Sequence, residues 1–245
     1  MVIWGKMIPF FKTDTSLGKS ILTLDPSDPR SIFSLEGLPK KVSLVEDDMS
    51  NIFEAAKYFK EQNVQLIFGL RMTFANSNIP EEIEQSAHKN IVFAKNCDGA
   101  YDLMNLFSEY RNLEGVITYQ RFLEMFTKNM ELVVPFYDSY LHKNFLKSGN
   151  AIPNFGQVTP KFVVEKNGVA FDSILDNFVC AKDSSPTLVK SIYYNKRDDF
   201  RAWQAFKIIC ARKAYKQSDI SNPNLEYCNS REFSWESYNE FKTNS

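Results

Sequence analysis

The chain has 245 residues, of which 44% are hydrophobic and 24% are charged, a composition typical of a globular protein with one substantial core. Its 29 basic and 30 acidic residues nearly cancel, so no overall positive charge indicates binding to nucleic acid or to an anionic membrane. The four cysteines form no close pair of the kind found in zinc sites or redox motifs, and we expect reduced thiols in a cytoplasmic protein.

The first strand-helix unit is predicted between residues 40 and 62. The segment 40–45 is rich in β-branched residues and predicts a short strand, and the segment 49–62 carries apolar residues on one helical face. Ser50 is the candidate cap of that helix, and Glu54 lies within reach of its first turn. The apolar run 64–70 then predicts a strand covered on both faces, which favours a parallel sheet.

The same alternation continues through the rest of the chain. Asp98 is expected to open the helix that follows the third strand, and Gly149 is expected to end the helix that follows the fourth. Repeated strand-helix units predict an α/β sheet, open or closed into a barrel, in a single domain covering residues 1–245. The chain is polar from about residue 215, with a last helical pattern at 233–241. The remaining predicted strands are 90–95, 131–136, 161–166 and 186–194, and the remaining helices are 98–110, 118–126, 137–149, 171–178 and 196–214.

Most common catalytic motifs are missing from the sequence. The two histidines, His88 and His142, are too few for an imidazole-rich metal site, and we expect structural or surface roles for both. The segment 14–20, DTSLGKS, resembles the end of a phosphate-binding loop but lacks the first glycine and a clear preceding strand. The apolar start, 1–11, is too short to cross a bilayer, so no membrane contact is expected.

Carboxylates are the remaining candidates for chemistry. The acidic run Glu46-Asp47-Asp48 follows a predicted strand, and Asp138 follows another. Such a run either suits the start of the next helix or provides oxygen ligands for Mg²⁺ or Mn²⁺. Strand ends converge on one face of an α/β barrel, so Glu46, Asp47 and Asp138 could meet there. Arg71 follows the strand 64–70 and would project to the same face, where pairing with an acid would disfavour a metal.

Five stretches, taken in order, resemble one known family. They are 11–22, 42–74, 88–109, 131–141 and 188–209, and the most specific of them is 88–109, in which AKN at the end of a strand leads into a helix. Together they are similar to the polymerase and histidinol phosphatase (PHP) domain that opens bacterial DNA polymerase III alpha subunits. The resemblance implies a distorted TIM-like (β/α)7 barrel of the PHP type.

In that family, histidines and carboxylates hold two or three metal ions, usually for phosphoester hydrolysis. At most of the aligned positions of this chain, ammonium, guanidinium and phenol groups replace the imidazoles and carboxylates. These replacements remove metal-binding lone pairs and add positive charge. The resemblance therefore implies a scaffold without metal cofactors or catalytic residues, in which the acidic run pairs with Lys12 or Arg71. The degenerate ligand positions are Lys12, Asp14, Glu46, Asp47, Arg71, Ser191 and Tyr193.

The function implied by the resemblance is that of a stand-alone, catalytically inactive accessory or interaction subunit in DNA replication. Its expected partner is a polymerase core, a proofreading exonuclease or a clamp, and DNA would be contacted through that assembly. A phage-like replisome in the host cytoplasm is one setting for such a pseudoenzyme.

Two alternatives stay open at the sequence level. The first is a metal-dependent phosphoesterase or nuclease in which Asp14, Glu46, Asp47 and Asp138 hold Mg²⁺ or Mn²⁺. The second is a structural or inhibitory binding protein that works outside replication. The aromatic residues Phe233, Trp235 and Tyr238 would then either contact a partner or pack back onto the barrel.

Overall fold

The computed structural model describes residues 7–16, 19–210 and 230–243. In this part of the chain, strands and helices alternate over most of the length, as the sequence predicts. The strands are β1 (Ile8–Phe11), β2 (Lys41–Glu46), β3 (Gln65–Ala75), β4 (His88–Ala94), β5 (Ile117–Thr118), β6 (Met130–Val134), β7 (Lys161–Glu165) and β8 (Thr187–Ile192). The helices are α1 (Ile52–Glu61), α2 (Pro80–Ser86), α3 (Cys97–Asn112), α4 (Tyr119–Met125), α5 (Tyr140–Leu146), α6 (Asp172–Lys182), α7 (Phe200–Cys210) and α8 (Trp235–Thr243).

Seven of these strands close into a barrel, which confirms the predicted barrel-like α/β fold. The order around the ring is β1, β8, β7, β6, β4, β3 and β2, and β2 pairs back onto β1. In this ring, Phe10 of β1 lies opposite Ser43 of β2 on one side and Ser191 of β8 on the other. The short strand β5 pairs only with the end of β3, outside the ring. Because the ring is closed, every barrel strand is hydrogen-bonded to a neighbouring strand on both sides.

One strand departs from the predicted parallel arrangement. β4 runs antiparallel to both of its neighbours, β3 and β6. β3 is 11 residues long, or roughly 36 Å, whereas the 7-residue α2 that follows it spans only roughly 10 Å. This helix is too short to return the chain to the start of the sheet, so β4 itself makes the return. The expectation of uniformly parallel strand-helix units is therefore wrong at β4.

Apolar side chains fill the interior of the barrel. β3 and β4 approach closely where Gly69 is paired with Phe93. A Cβ atom at position 69 would lie only 2.5 Å from Cε1 of Phe93, so the absence of a side chain makes room for the ring. The Phe93 ring in turn contacts Phe10, with 5.5 Å between ring centroids. The buried interior residues are Phe10, Val45, Ile91, Phe93, Val133, Val163 and Val189.

Several helix ends differ from those predicted. α3 begins after Asn96, whose side chain accepts a hydrogen bond from the Gly99 amide, so Asp98 is not the cap. α1 follows Asn51, and the predicted cap Ser50 instead donates to the side chain of Asp48. These corrections share one cause, since several short polar residues stand near each helix start and the sequence does not show which one has the cap geometry.

The segment after residue 229 packs onto the barrel. Phe233, Trp235 and Tyr238 are buried, and Trp235 Nε1 donates to the Glu36 carbonyl oxygen at 2.9 Å. Of the two alternatives for these aromatic residues, packing back onto the barrel is therefore correct. Most of the predicted polar extension from about residue 215 lies outside the described residues.

His88 and His142 are both buried, in agreement with structural roles. Nδ1 of His88 lies 2.8 Å from the Ser86 carbonyl oxygen and Nε2 lies 2.8 Å from the Tyr119 hydroxyl. Burial lowers the pKa of His88 to about 4, so the ring is neutral near pH 7. In the ranges that the structure describes, no helix is long and apolar enough to cross a membrane.

Replacing Gly69 by alanine is expected to lower the free energy of unfolding by about 1–3 kcal/mol, because the new methyl group would overlap the Phe93 ring in a filled interior. Urea denaturation measures the change. The double variant Gly69→Ala/Phe93→Leu should lose less than the sum of the two single variants, since the smaller side chain makes room for the methyl group. Additive losses would show that the two positions do not compete for the same space.

Candidate functional site

The carboxyl ends of the parallel barrel strands surround the site where the sequence predicts converging polar residues. We call this end of the barrel the mouth. The cavity at its centre has a volume of about 20 Å³. A single water molecule needs about 10–15 Å³ of such space, so the mouth is nearly filled by its own side chains. The polar residues lining it are Lys12, Arg71, Tyr137, Glu165, Ser191 and Tyr193.

Lys12 and Asp47 form an ion pair beside this cavity. Lys12 directly follows β1, Asp47 directly follows β2, and Nζ of Lys12 lies 3.2 Å from Oδ1 of Asp47. The lysine side chain is only 5% exposed, and its contact with Asp47 is an ion pair whose geometry is not that of a hydrogen bond. Burial lowers the pKa of Lys12. For Asp47, burial alone would raise the pKa. The positive charges of Lys12 and Arg71 outweigh this effect and hold the pKa of Asp47 well below its usual range. The predicted pairing of the acidic run with Lys12 is present.

Arg71 and Asp138 form a second ion pair on the other side of the mouth. The guanidinium Nη2 of Arg71 lies 2.5 Å from Oδ2 of Asp138, and the Arg71 side chain is only 6% exposed. Asp138 has a positive φ of 59°, a backbone conformation that aspartate tolerates better than most residues. Lys89 lies nearby, and its pKa is lowered to about 8 by burial and then by the charge of Arg71. Arg71 therefore pairs with Asp138, a candidate metal ligand, which agrees with the sequence-based expectation that Arg71 would pair with an acid.

Glu46 does not share a site with Asp47, although the two are adjacent in sequence. The backbone amide and hydroxyl of Thr13 both donate to Glu46 Oε1, at 2.9 and 2.7 Å, and the Ser16 hydroxyl contacts Oε2 at 2.5 Å. Glu46 is 2% exposed, and this burial raises its pKa to about 7 against the opposing effect of Lys12. The carboxyl group thus holds the loop after β1 in place.

The other acidic candidates, Asp14 and Asp48, interact with residues outside the mouth cavity lining. Asp14 is half-buried, which raises its pKa, and the positive charge of Arg30 opposes this shift. Asp48 accepts hydrogen bonds from the Ser50 amide, at 2.9 Å, and from its hydroxyl. Of the acidic candidates, Asp47 and Asp138 form ion pairs with Lys12 and Arg71, which line the mouth, whereas Glu46 accepts hydrogen bonds from Thr13 and Ser16.

A buried carboxyl group that the sequence analysis did not single out completes the mouth. Glu165, the last residue of β7, accepts hydrogen bonds from the Ser191 amide at 3.0 Å, the Ser191 hydroxyl at 2.9 Å and Asn167 Nδ2 at 2.9 Å. Burial raises its pKa. Its position at the end of an apolar strand is the signal that could have identified it, by the same rule that selects Asp47. Ser191, a predicted degenerate ligand position, is thus a hydrogen-bond donor to this acid.

Tyr193 closes the mouth as part of an aromatic stack. Its ring lies 5.4 Å from that of Trp203 and 5.3 Å from that of Phe233, with interplanar angles of 15° and 19°. A backbone hydrogen bond supports the same contact, since the Tyr193 amide donates to the Phe233 carbonyl oxygen at 2.9 Å. The α7 helix and the segment that leads into α8 therefore cover the place where the resemblance puts a late metal ligand.

The chemistry of these groups suits internal pairing better than ion binding. Within residues 7–16, 19–210 and 230–243, no three His, Cys, Asp or Glu side chains gather in a way that could hold a metal ion. Asp47 and Asp138 each face a buried cation, and Glu165 is already satisfied by three donors. A divalent cation would have to displace a lysine or an arginine to reach either aspartate.

Comparison with known proteins adds no further assignment, since no family model and no curated protein matches this chain.

The variant Asp47→Asn is expected to lose about 1–3 kcal/mol of unfolding free energy, because it leaves the buried Lys12 ammonium without its counterion. Thermal or urea denaturation measures the loss. Asp198→Asn, a change at an exposed aspartate, is the matched control and should be nearly neutral. Adding Lys12→Met to Asp47→Asn should recover part of the loss. No recovery would show that the two side chains do not interact.

The raised pKa of Glu46 predicts a pH dependence of stability. The folded protein holds a proton on Glu46 up to about pH 7, whereas the unfolded chain releases it near the ordinary value of 4.5. Stability from this group is therefore complete below about pH 4.5 and is lost as pH rises through about 7. Relative to Glu46→Gln, which keeps the neutral form, the wild-type protein should lose up to roughly 3 kcal/mol between about pH 5 and about pH 8. Parallel pH profiles of the two proteins would contradict the assignment.

Proposed function

We propose that this protein is a stand-alone, non-catalytic barrel of the PHP type that works as an accessory or interaction subunit in DNA replication. The observation that carries the non-catalytic part is the pairing of Lys12 with Asp47 and of Arg71 with Asp138 at the mouth. The replication part rests on the sequence resemblance to the PHP domain of DNA polymerase III alpha subunits.

The two ion pairs support a mouth that does not use metal ions. Two-metal hydrolysis requires carboxylates or imidazoles placed so that both ions contact the reacting phosphate. Here the two aspartates lie beside fixed positive charges, and Lys12 and Arg71 are too buried to turn away into solvent. Removing the cation from either pair would leave a poorly solvated carboxylate, which is a costly arrangement.

The space at the mouth supports the same proposal. A cavity of about 20 Å³ is far below the volume of about 300 Å³ or more that small-molecule sites usually offer. Tyr193 and Phe233 occupy the place where a phosphoester would have to approach the strand ends. Larger open clefts lie beside Asp138, with a volume of about 220 Å³, and at the opposite end of the barrel, with a volume of about 700 Å³, and clefts of this kind suit a protein that acts by binding.

Metal binding provides the direct test. Addition of Mn²⁺, Mg²⁺ or Zn²⁺ is expected to leave the melting temperature unchanged, because a ligand stabilises a protein only when it binds the folded state. A saturable rise that is lost in Asp47→Ala would contradict the proposal, as would hydrolysis of bis-p-nitrophenyl phosphate that is lost in the same variant. An unchanged rise in Asp47→Ala would place the ion elsewhere on the chain.

The replication role has a separate test. Tagged protein recovered from the cells that naturally make it should retain a polymerase core, a proofreading exonuclease or a clamp. Recovery of partners unrelated to replication would keep the non-catalytic barrel and overturn its assignment to the replisome.

A further inference from the structure

The opposite end of the barrel, where the parallel strands begin, carries an open cleft of about 700 Å³. Its floor is formed by interior side chains, including Phe10 and Phe93, and by apolar residues beside α1. Several side chains here keep exposed apolar surface, most clearly Ile8, which is 39% exposed. The strand starts that line the cleft are Ile8, Lys41, Gln65, Lys161 and Thr187.

A second cleft, of about 690 Å³, continues from the first along α4 and the loop before β7. The two clefts share Lys95, Glu131 and Lys161, so they form one surface, which we call the lysine groove. Two such volumes side by side exceed the range of about 300–1,000 Å³ that a small ligand fills. The lysine groove is thus long enough for a peptide segment.

Charge is strongly one-sided in the lysine groove. Its acidic lining residue, Glu131, already lies 2.9 Å from Nζ of Lys161. The other lysines form no ion pair within the described ranges. The whole chain carries a net charge of only −1, so this concentration of positive charge is a local feature and not a consequence of composition. The lysines are Lys41, Lys60, Lys95, Lys128 and Lys161.

We propose that the lysine groove binds an acidic segment of a partner protein that carries apolar anchor side chains. The lysines around the rim complement carboxylates, and the apolar floor provides the desolvated centre that protein interfaces need. Because the barrel ring is closed, its strands offer no edge to which a partner could add a strand. Recognition must therefore come from side chains, through charge at the rim and apolar contact on the floor.

This proposal rests on the proposed role as a protein-binding subunit, but it does not depend on the replisome assignment or on the mouth. The groove and the mouth lie at opposite ends of the barrel. Metal binding at the mouth would contradict the proposed function but would not affect the proposal for the lysine groove. Absence of peptide binding to the groove would not affect the conclusion drawn from the ion pairs at the mouth.

Selection from a displayed library of random peptides tests the proposed chemistry without a known partner. Selection is made against the wild-type protein alone, and the variant Lys41→Glu/Lys95→Glu is used only afterwards, to measure binding of the recovered peptides. The recovered peptides should be rich in Asp and Glu and should carry Leu, Phe or other large apolar residues. In fluorescence anisotropy, labelled copies should bind about tenfold or more weakly to the double variant and more weakly at high salt.

Lys182→Glu/Lys242→Glu is the matched control, since it reverses two exposed charges on α6 and α8 and should leave binding unchanged. Circular dichroism establishes that both double variants are folded. Recovery of no acidic peptides, or equal loss in both variants, would overturn the proposal. Dimerisation that Lys41→Glu/Lys95→Glu abolishes would assign the groove to a second copy of the chain. Peptide binding that appears only after deletion of residues 1–6 would assign it to the start of the chain itself.

Discussion

The Lys12–Asp47 ion pair is the interaction on which the account of the mouth depends. The neighbouring strands β1 and β2 end side by side, and each is followed directly by a charged residue, Lys12 or Asp47. The lysine is nearly inaccessible to water, so its charge needs the aspartate, and the positive charges of Lys12 and Arg71 in turn lower the pKa of the aspartate. Arg71 and Asp138 repeat the arrangement across the mouth. Carboxylates at strand ends of a barrel often serve chemistry, but here they stabilise two buried cations.

The rest of the barrel explains why this mouth is so full. Tyr193 is held by Trp203 and Phe233, which belong to elements that come after the last barrel strand. Glu165 and Ser191 satisfy each other across β7 and β8. Each group that could face a substrate thus has an internal partner. The beginning of the strands is different, because positive side chains and apolar surface there stay open to solvent.

The sequence predicts the barrel-like fold well and the site only in part. Strand-length apolar runs identify β2, β6, β7 and β8 to within two residues at each end, because strands buried on both faces are uniformly apolar. The reversal of β4 was not predicted, since direction depends on the reach of α2 and not on local pattern. Strand-end reasoning correctly brought Asp47, Asp138 and Arg71 to one end of the barrel. It could not show that Glu46 turns away to Thr13 and Ser16, because that choice depends on the loop after β1.

A crystal structure of the protein grown with Mn²⁺, with anomalous diffraction recorded at the manganese edge, tests the central claim most directly. The account predicts no anomalous peak within bonding distance of Asp47 or Asp138, with Lys12 and Arg71 still in contact with these carboxylates. A manganese ion bound by either aspartate, with the lysine or the arginine displaced, would contradict it.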